Sequence, residues 1–415
     1  MADQPASSSY RKKQNLYIAG ICAFAFLAQS SMTYQTVYLK ENGFTASQLG
    51  LFSSMLSVTN IFALSFWGII SDRSGTVKRI LIPITSLSYL LLALLPVVSR
   101  TSRSLFGASG GDAAGVGMGT FLLFTVFLAF THFFYNPAMM LNENLIVRDC
   151  AELDLNYGRN RSIGSLTYSI GGFIATAVAS RFGTGAVFIT ALIAVVPLIL
   201  CYIPVRDGTS ATASKPGKKK LKKEDVIELL SSRAFQIFLG FAVLMHVASA
   251  CRQSFLPYFM TAINVDTSIY GTVIGYGAIM EIPSILMLKR LHDRISYKWL
   301  LAGSAALFGF SCLLMATVAN SLPWLFVIST MFGLANGMGM TAGYNYVYEL
   351  APASLKATGQ SIYQIACSIA AIFGASAGGF AFDQLGVRPF YWLVTLVYAS
   401  SVTLVVLTSR KKQKA

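Results

Sequence analysis

The sequence predicts an all-α membrane protein of twelve transmembrane helices, arranged as two halves of six. Three observations predict it. Apolar residues make up 54% of the 415-residue chain and charged residues only 12%, with a mean hydropathy of +0.60, whereas soluble domains carry about 25% charged residues. Apolar runs of about twenty residues, the length that crosses a bilayer, recur from end to end. A lysine-rich stretch divides those runs six and six. This composition excludes a soluble enzyme and a disordered chain. The short alternating segments of a β-barrel are not what the runs resemble.

The runs follow in order. Residues 1–15 are polar, and the run after them, 16–38, is too long for the apolar region of a signal peptide. Runs at 48–70 and 80–99 come next, then a Gly/Ser-rich connector at 100–116. Runs at 117–146, 162–181 and 184–204 complete the first half, residues 1–204. A basic linker, 205–233, leads to the second half, 234–415, with runs at 234–261, 269–289, 298–319, 322–349, 358–381 and 387–408. Pro137, Pro257 and Pro283 fall inside helices 4, 7 and 8 and are expected to interrupt and kink them. The small-residue series Gly164–Gly171–Gly172 and Gly374–Gly378–Gly379 are expected to let helices pack closely.

Charge sets the expected orientation. With both termini inside, 25 of the 32 lysines and arginines fall in inside segments and 5 outside, while Arg161 and Arg252 fall within spans. The positive-inside rule then places the N- and C-termini in the cytoplasm and the protein in the cell membrane as a multi-pass chain. It also accounts for the net charge of +15 without a nucleic-acid partner. Lys218 to Lys223 read as a solvated part of the cytoplasmic linker, the alternative being contact with anionic lipid headgroups. Cysteines such as Cys22, Cys201, Cys312 and Cys367 lie in apolar runs and read as packing residues rather than disulfide partners.

The loop after span 2 reads Gly68-Ile69-Ile70-Ser71-Asp72-Arg73-Ser74-Gly75-Thr76-Val77-Lys78-Arg79. Gly68 is expected to end the helix and admit a neighbour, Asp72 to cap or pair, and Gly75 to make the turn. The loop after span 8 repeats the pattern with Asp293-Arg294, a turn and Lys298. One feature at one place in each half implies duplicated six-helix bundles. Here the chain resembles the major facilitator superfamily of secondary transporters over nearly its whole length. The resemblance implies that Gly68, Asp72, Arg73, Gly75, Arg79, Asp293 and Arg294 belong to a cytoplasmic gating loop rather than to a substrate site.

An ionisable group inside a span is a functional candidate by default. The stretch Tyr157-Gly158-Arg159-Asn160-Arg161-Ser162-Ile163-Gly164-Ser165 resembles the opening of the fifth helix in lactose-permease-like sugar–proton symporters, a group to which nucleoside transporters look similar. In that group the second arginine forks onto sugar hydroxyls and pairs with a glutamate eighteen residues earlier. In this sequence those positions are Arg161 and Glu143. A planar guanidinium beside a carboxylate offers the donors and acceptors that hydroxyls need. The competing reading of both charges is snorkelling or helix pairing near an interface.

Glu281 follows Tyr276 and precedes Pro283 in span 8, and it is the candidate coupling carboxyl. The competing reading is a glutamate hydrogen-bonded to a neighbouring helix. The lactose-permease-like His/Glu pair of helix 10 has no counterpart in Ser329 to Ala335, and helix 7 carries Arg252 where that group has acidic residues. Arg252 is expected to balance Glu281, to bind an anionic substrate, or to lie near the outer end of span 7. His246, whose residue type titrates near neutral pH, is a further coupling candidate ahead of His132.

Gln29, Thr33 and Thr36 share one helical face on span 1, and Gln360, Gln364 and Cys367 repeat that spacing on span 11 beside Tyr363. Of the polar residues, Gln29, Asn336, Gln364 and Tyr363 are expected to line a substrate site, with interhelical hydrogen bonding as the alternative for all. No metal spacing, phosphate loop or nucleophile motif is present, so neither a cofactor nor an enzymatic activity is expected. The expected function is secondary active transport by alternating access. The solute is a small polar molecule (a sugar, glycoside or nucleoside), moved with a proton or cation by a monomer in the lipid bilayer. An organic-anion transporter or drug exporter is the first alternative, and a non-transporting nutrient sensor the second.

Overall fold

The computed structural model describes residues 8–74, 77–107, 115–205, 229–352 and 355–410. Among them, eleven helices are long and apolar enough to cross a membrane, or twelve when one bent pair counts as a single span. They are α1 (Ser9–Glu41), α2 (Ala46–Ser71), α3 (Val77–Ala93 with Leu95–Phe106), α4 (Met118–Glu152), α5 (Tyr157–Phe182) and α6 (Thr184–Tyr202). The second six are α7 (Arg233–Ala262), α8 (Thr267–Leu288), α9 (Tyr297–Thr317), α10 (Leu322–Leu350), α11 (Thr358–Leu385) and α12 (Val387–Leu407). The chain is therefore the all-α, multi-pass membrane protein its composition predicts.

Helix ends repeat between the halves. Gly183 follows α5 at φ +82° and Gly386 follows α11 at φ +76°, each one residue past the helix. Gly43 stands two residues past α1 at φ +90°, and Asn264 stands two residues past α7 at φ +56°. Glycine and asparagine tolerate this left-handed backbone, which stops a helix and satisfies its last carbonyls.

The chain divides into two compact units. The first is bounded by Met1–Gly43, Val58–Gly217 and Ser268–Gly275. In it α1 packs along α5 and α6, and α3 along α4 and α6. Its core holds Ile21, Leu81, Ile84, Leu145, Leu198 and Tyr202, all buried. The start of α8 belongs to this unit: the Tyr34 hydroxyl accepts from the Gly271 amide at 3.0 Å and donates to the Ser268 carbonyl at 2.6 Å. The second unit is bounded by Phe44–Ser57, Lys218–Thr267 and Tyr276–Ala415. In it α7 packs along α11 and α12, and α9 along α10 and α12, the same pairings six helices later. The start of α2 belongs here, its Ala46 and Ser47 amides capped by the Asp383 carboxylate at 3.2 and 2.7 Å. In both units large apolar side chains such as Phe62, Ile193, Leu286 and Phe373 point outward, as a lipid solvent permits.

Several sequence expectations need correction. Gly68 neither ends a helix nor admits a neighbour: the helix runs on to Ser74, and a Cβ at Gly68 would meet nothing within 4 Å. Gly75 and the Asp72 side chain lie outside the described residues, as do Lys218 to Lys223 and most of the 205–233 linker. Arg73, Arg79, Asp293 and Arg294 are exposed. Pro137, Pro257 and Pro283 lie inside helices that continue unbroken through them, because one missing N–H is tolerated where the flanking turns remain bonded. The sharp bend comes instead at Leu94, just before Pro96, where the two pieces of α3 meet at 44°. The third span also runs on to Phe106, into the expected connector.

The small-residue series does meet close neighbours. A Cβ on Gly171 would fall 3.0 Å from the Leu27 carbonyl oxygen and 2.9 Å from Ser30 Cβ on α1. Gly171→Val is therefore expected to destabilise the first unit by about 1–3 kcal/mol through overpacking. Gly68→Ala is expected to be neutral or stabilising by at most about 1 kcal/mol, since it relieves a helix-interior glycine without crowding. Thermal melts of the purified protein check both, and equal effects would refute the packing account.

Candidate functional site

The α4–α5 connection is short, and its cap sets the site. The Asn156 side chain accepts from the Arg159 amide at 2.9 Å, fixing the first turn of α5. Tyr157 and Arg161, four residues apart, then share a face. The Tyr157 hydroxyl donates to Glu143 Oε1 on α4. Arg161 Nε lies 3.7 Å from the same oxygen, and both charged side chains are about one-third exposed, at 34% and 35%. The structure thus brings Glu143 and Arg161 together, as the family resemblance implies.

The arginine rests on an aromatic floor that sequence reasoning missed. Its guanidinium carbon sits 4.1 Å from the centre of the Phe26 ring on α1. Gly164, one turn past Arg161, supplies the notch: a Cβ there would fall 2.6 Å from the Phe26 ring. Arg161 Nη1 donates to Ser165 Oγ at 3.3 Å. No described residue bonds Arg161 Nη2 or Glu143 Oε2. The pair therefore presents a free donor edge beside a free acceptor edge. An Arg161 lying flat on a ring keeps those N–H groups in a fixed plane.

Gln29 lies one turn beyond Phe26, half-buried, with no hydrogen bond to the described residues. A 3-10 turn at Ser31–Thr33 breaks the regular spacing of the expected stripe. The Thr33 and Thr36 hydroxyls donate back to carbonyls of their own helix. Deeper on α1, Gln35 Oε1 meets His132 Nε2 at 2.9 Å, and Asn136 Nδ2 meets the other ring nitrogen at 3.5 Å.

The second unit holds a cavity of about 240 Å³. Phe238, His246, Asn336, Tyr344, Tyr363 and Gln364 are among its walls. Tyr363 stacks on Phe238 at 5.2 Å and meets His246 and Tyr344 edge-on. Tyr344 donates to Gln364 at 3.4 Å, and His246 Nδ1 faces its own helix at the Ala242 carbonyl, 2.9 Å away. Three of the four expected lining residues, Asn336, Gln364 and Tyr363, meet here, while Gln29 lies in the first unit. Glu281 touches one of them: Asn336 Nδ2 donates to its Oε1 at 2.8 Å. Close approach of α8 and α10 makes this contact, for a Cβ on Gly337 would fall 2.7 Å from the Glu281 carbonyl oxygen. Arg252 does not balance Glu281. It is 2% exposed, makes no ion pair with any described carboxylate, and lies over the Phe332 ring at 3.7 Å.

The MFS_1 like family, a branch of the major facilitator superfamily, matches residues 17–393. The chain belongs to this family. The family member is 24% identical to the uncharacterized transporter YwbF of Bacillus subtilis (strain 168), over 91% of this chain and 88% of that one. It is 22% identical to the sucrose permease of Escherichia coli, over 90% of this chain and 88% of that one. Its fold matches the crystal structure of a point mutant of the nucleoside transporter NupG with a TM-score of 0.75 at 15% identity, covering 95% and 98% of the two chains. This member of the major facilitator superfamily is a secondary transporter of small solutes, not an enzyme.

Proposed function

We propose that the transporter carries a polyhydroxylated solute, a sugar, glycoside or nucleoside, by alternating access coupled to a proton. The observation that carries this reading is the pair of free atoms, Glu143 Oε2 and Arg161 Nη2, on a charge pair whose arginine lies over Phe26. Adjacent hydroxyls are both donors and acceptors, and they match such a pair without bringing a net charge. Two relatives, a sucrose permease and a nucleoside transporter, support the same class. In the first unit Gln29 adds an amide edge, and in the second unit Asn336, Gln364 and the ring of Tyr363 are solute contacts of their own cavity.

In this reading Glu281 is the coupling carboxyl and His246 an accessory group. Residues 1–204 and 234–415 act as the two bundles, joined by the basic linker 205–233, with Arg73, Arg79 and Arg294 in the cytoplasmic gating loops. The charge bias supports both termini on the cytoplasmic side of the cell membrane, and in this reading the transporter acts as a monomer. A thermal-shift panel of sugars, glycosides, nucleosides and carboxylates tests the class. Polyhydroxylated members are expected to raise the melting temperature saturably. A shift confined to carboxylates would overturn the reading.

A further inference from the structure

Arg252 is among the largest fully buried side chains of the protein. Its Nε is buried with no hydrogen-bond partner, and no described residue accepts from any part of its guanidinium or pairs with its charge. The Phe332 ring under it, 3.7 Å away, offsets only part of the charge. Among the described residues the environment adds neutral groups and no negative charge. Phe332 meets Phe308 edge-on at 5.1 Å, and Phe308 stacks on Tyr398 at 5.6 Å. The buried Tyr398 hydroxyl lies near Ser249 without a well-directed partner. A cation and a second orphaned O–H, walled by aromatic rings, are strongly disfavoured unless an acceptor joins them.

We propose that Arg252 and Tyr398 form a small-anion site in the second unit, occupied by a halide such as chloride or by a small carboxylate. The site adjoins the aromatic cavity. Ala242, Met245 and Ser249 line that cavity along one face of α7, and Arg252 follows Ser249 by one turn on the same face. Phe308, the ring linking Phe332 to Tyr398, is also a cavity wall. The anion reaches Arg252 from the cavity end and neutralises it, which lets the helix carry a buried cation with no carboxylate nearby. This role is separate from the solute site over Phe26 and from the choice of transported solute.

The test uses the full chain purified in detergent, melted at constant ionic strength in chloride, acetate or gluconate. A saturable rise in melting temperature with chloride or acetate over bulky gluconate is expected, and which of the two acts assigns the occupant. Arg252→Met is expected to abolish the anion dependence, and Tyr398→Phe, which keeps the ring, to weaken the half-saturating concentration several-fold. Should Arg252→Met fail to fold, crystals of the wild-type chain soaked in bromide provide the second readout, with an anomalous peak expected beside Arg252. Melting that is identical in all three anions, or, where chloride is the anion that acts, a bromide-soaked crystal with no peak there, would overturn the proposal.

Discussion

Glu143→Gln is expected to abolish the solute-induced rise in melting temperature and to cut uptake by about tenfold or more. Glu143 Oε1 receives Tyr157 and faces Arg161 at 3.7 Å, while Oε2 is left for a ligand. Glutamine keeps the shape but replaces one acceptor with a donor and removes the charge. Arg161 then loses its anionic partner among the described residues, and the ligand loses an acceptor position. A ligand hydrogen bond to a charged group is worth about 1.5–3 kcal/mol, and each 1.4 kcal/mol is tenfold. Arg161→Lys is expected to be as damaging although it keeps the charge. A lysine has no planar fork and cannot lie across Phe26 at 4.1 Å with its donors held in one plane. Tyr157→Phe is the graded control, losing one donor to Glu143 and about tenfold at most. Ligand-dependent melting and uptake into proteoliposomes read all three. A normal ligand shift in both Glu143→Gln and Arg161→Lys would remove the solute site from this pair.

The sequence made parts of this site legible and hid others for physical reasons. Span lengths and the six-and-six division follow from hydropathy, which is a local property. The pairing of Glu143 with Arg161 was readable only through the family resemblance, and a short, capped connection between two consecutive helices is what brings it about. The floor under Arg161 was not readable, since Phe26 lies far away in the chain and looks like any aromatic in an apolar run. Gly164 was the faint signal: a small residue one turn past a membrane arginine marks where a ring fits. Arg252 shows the opposite limit. Its position in span 7 was plain, but its lack of a counter-ion depends on residues from α9, α10 and α12 that no single-helix pattern reports. Gly68 fails in the same way, because whether a helix approaches a glycine is a tertiary fact. On α1 a 3-10 turn at Ser31–Thr33 changes the period on which the stripe inference rested.

Glu281→Gln is expected to stop uphill accumulation while leaving exchange of solute across the membrane close to the wild-type rate. Glutamine retains an oxygen able to accept from Asn336 Nδ2, the bond that spans 2.8 Å between α8 and α10. Packing at Gly337 is likewise undisturbed, since the side chain keeps its length. What glutamine cannot do is take up and release a proton. A proton moving down a 100 mV potential supplies about 2.3 kcal/mol, enough for about fiftyfold accumulation. The variant should lose that factor and equilibrate its solute instead. Asn336→Ala separates the two functions of the contact, because it removes the amide donor while leaving the carboxyl titratable. Accumulation should therefore survive in Asn336→Ala and vanish in Glu281→Gln at every pH. Proteoliposomes with an imposed proton gradient, assayed in parallel for counterflow, distinguish these outcomes. Undiminished accumulation in Glu281→Gln would take coupling away from this carboxyl and leave Glu281 a strut between α8 and α10.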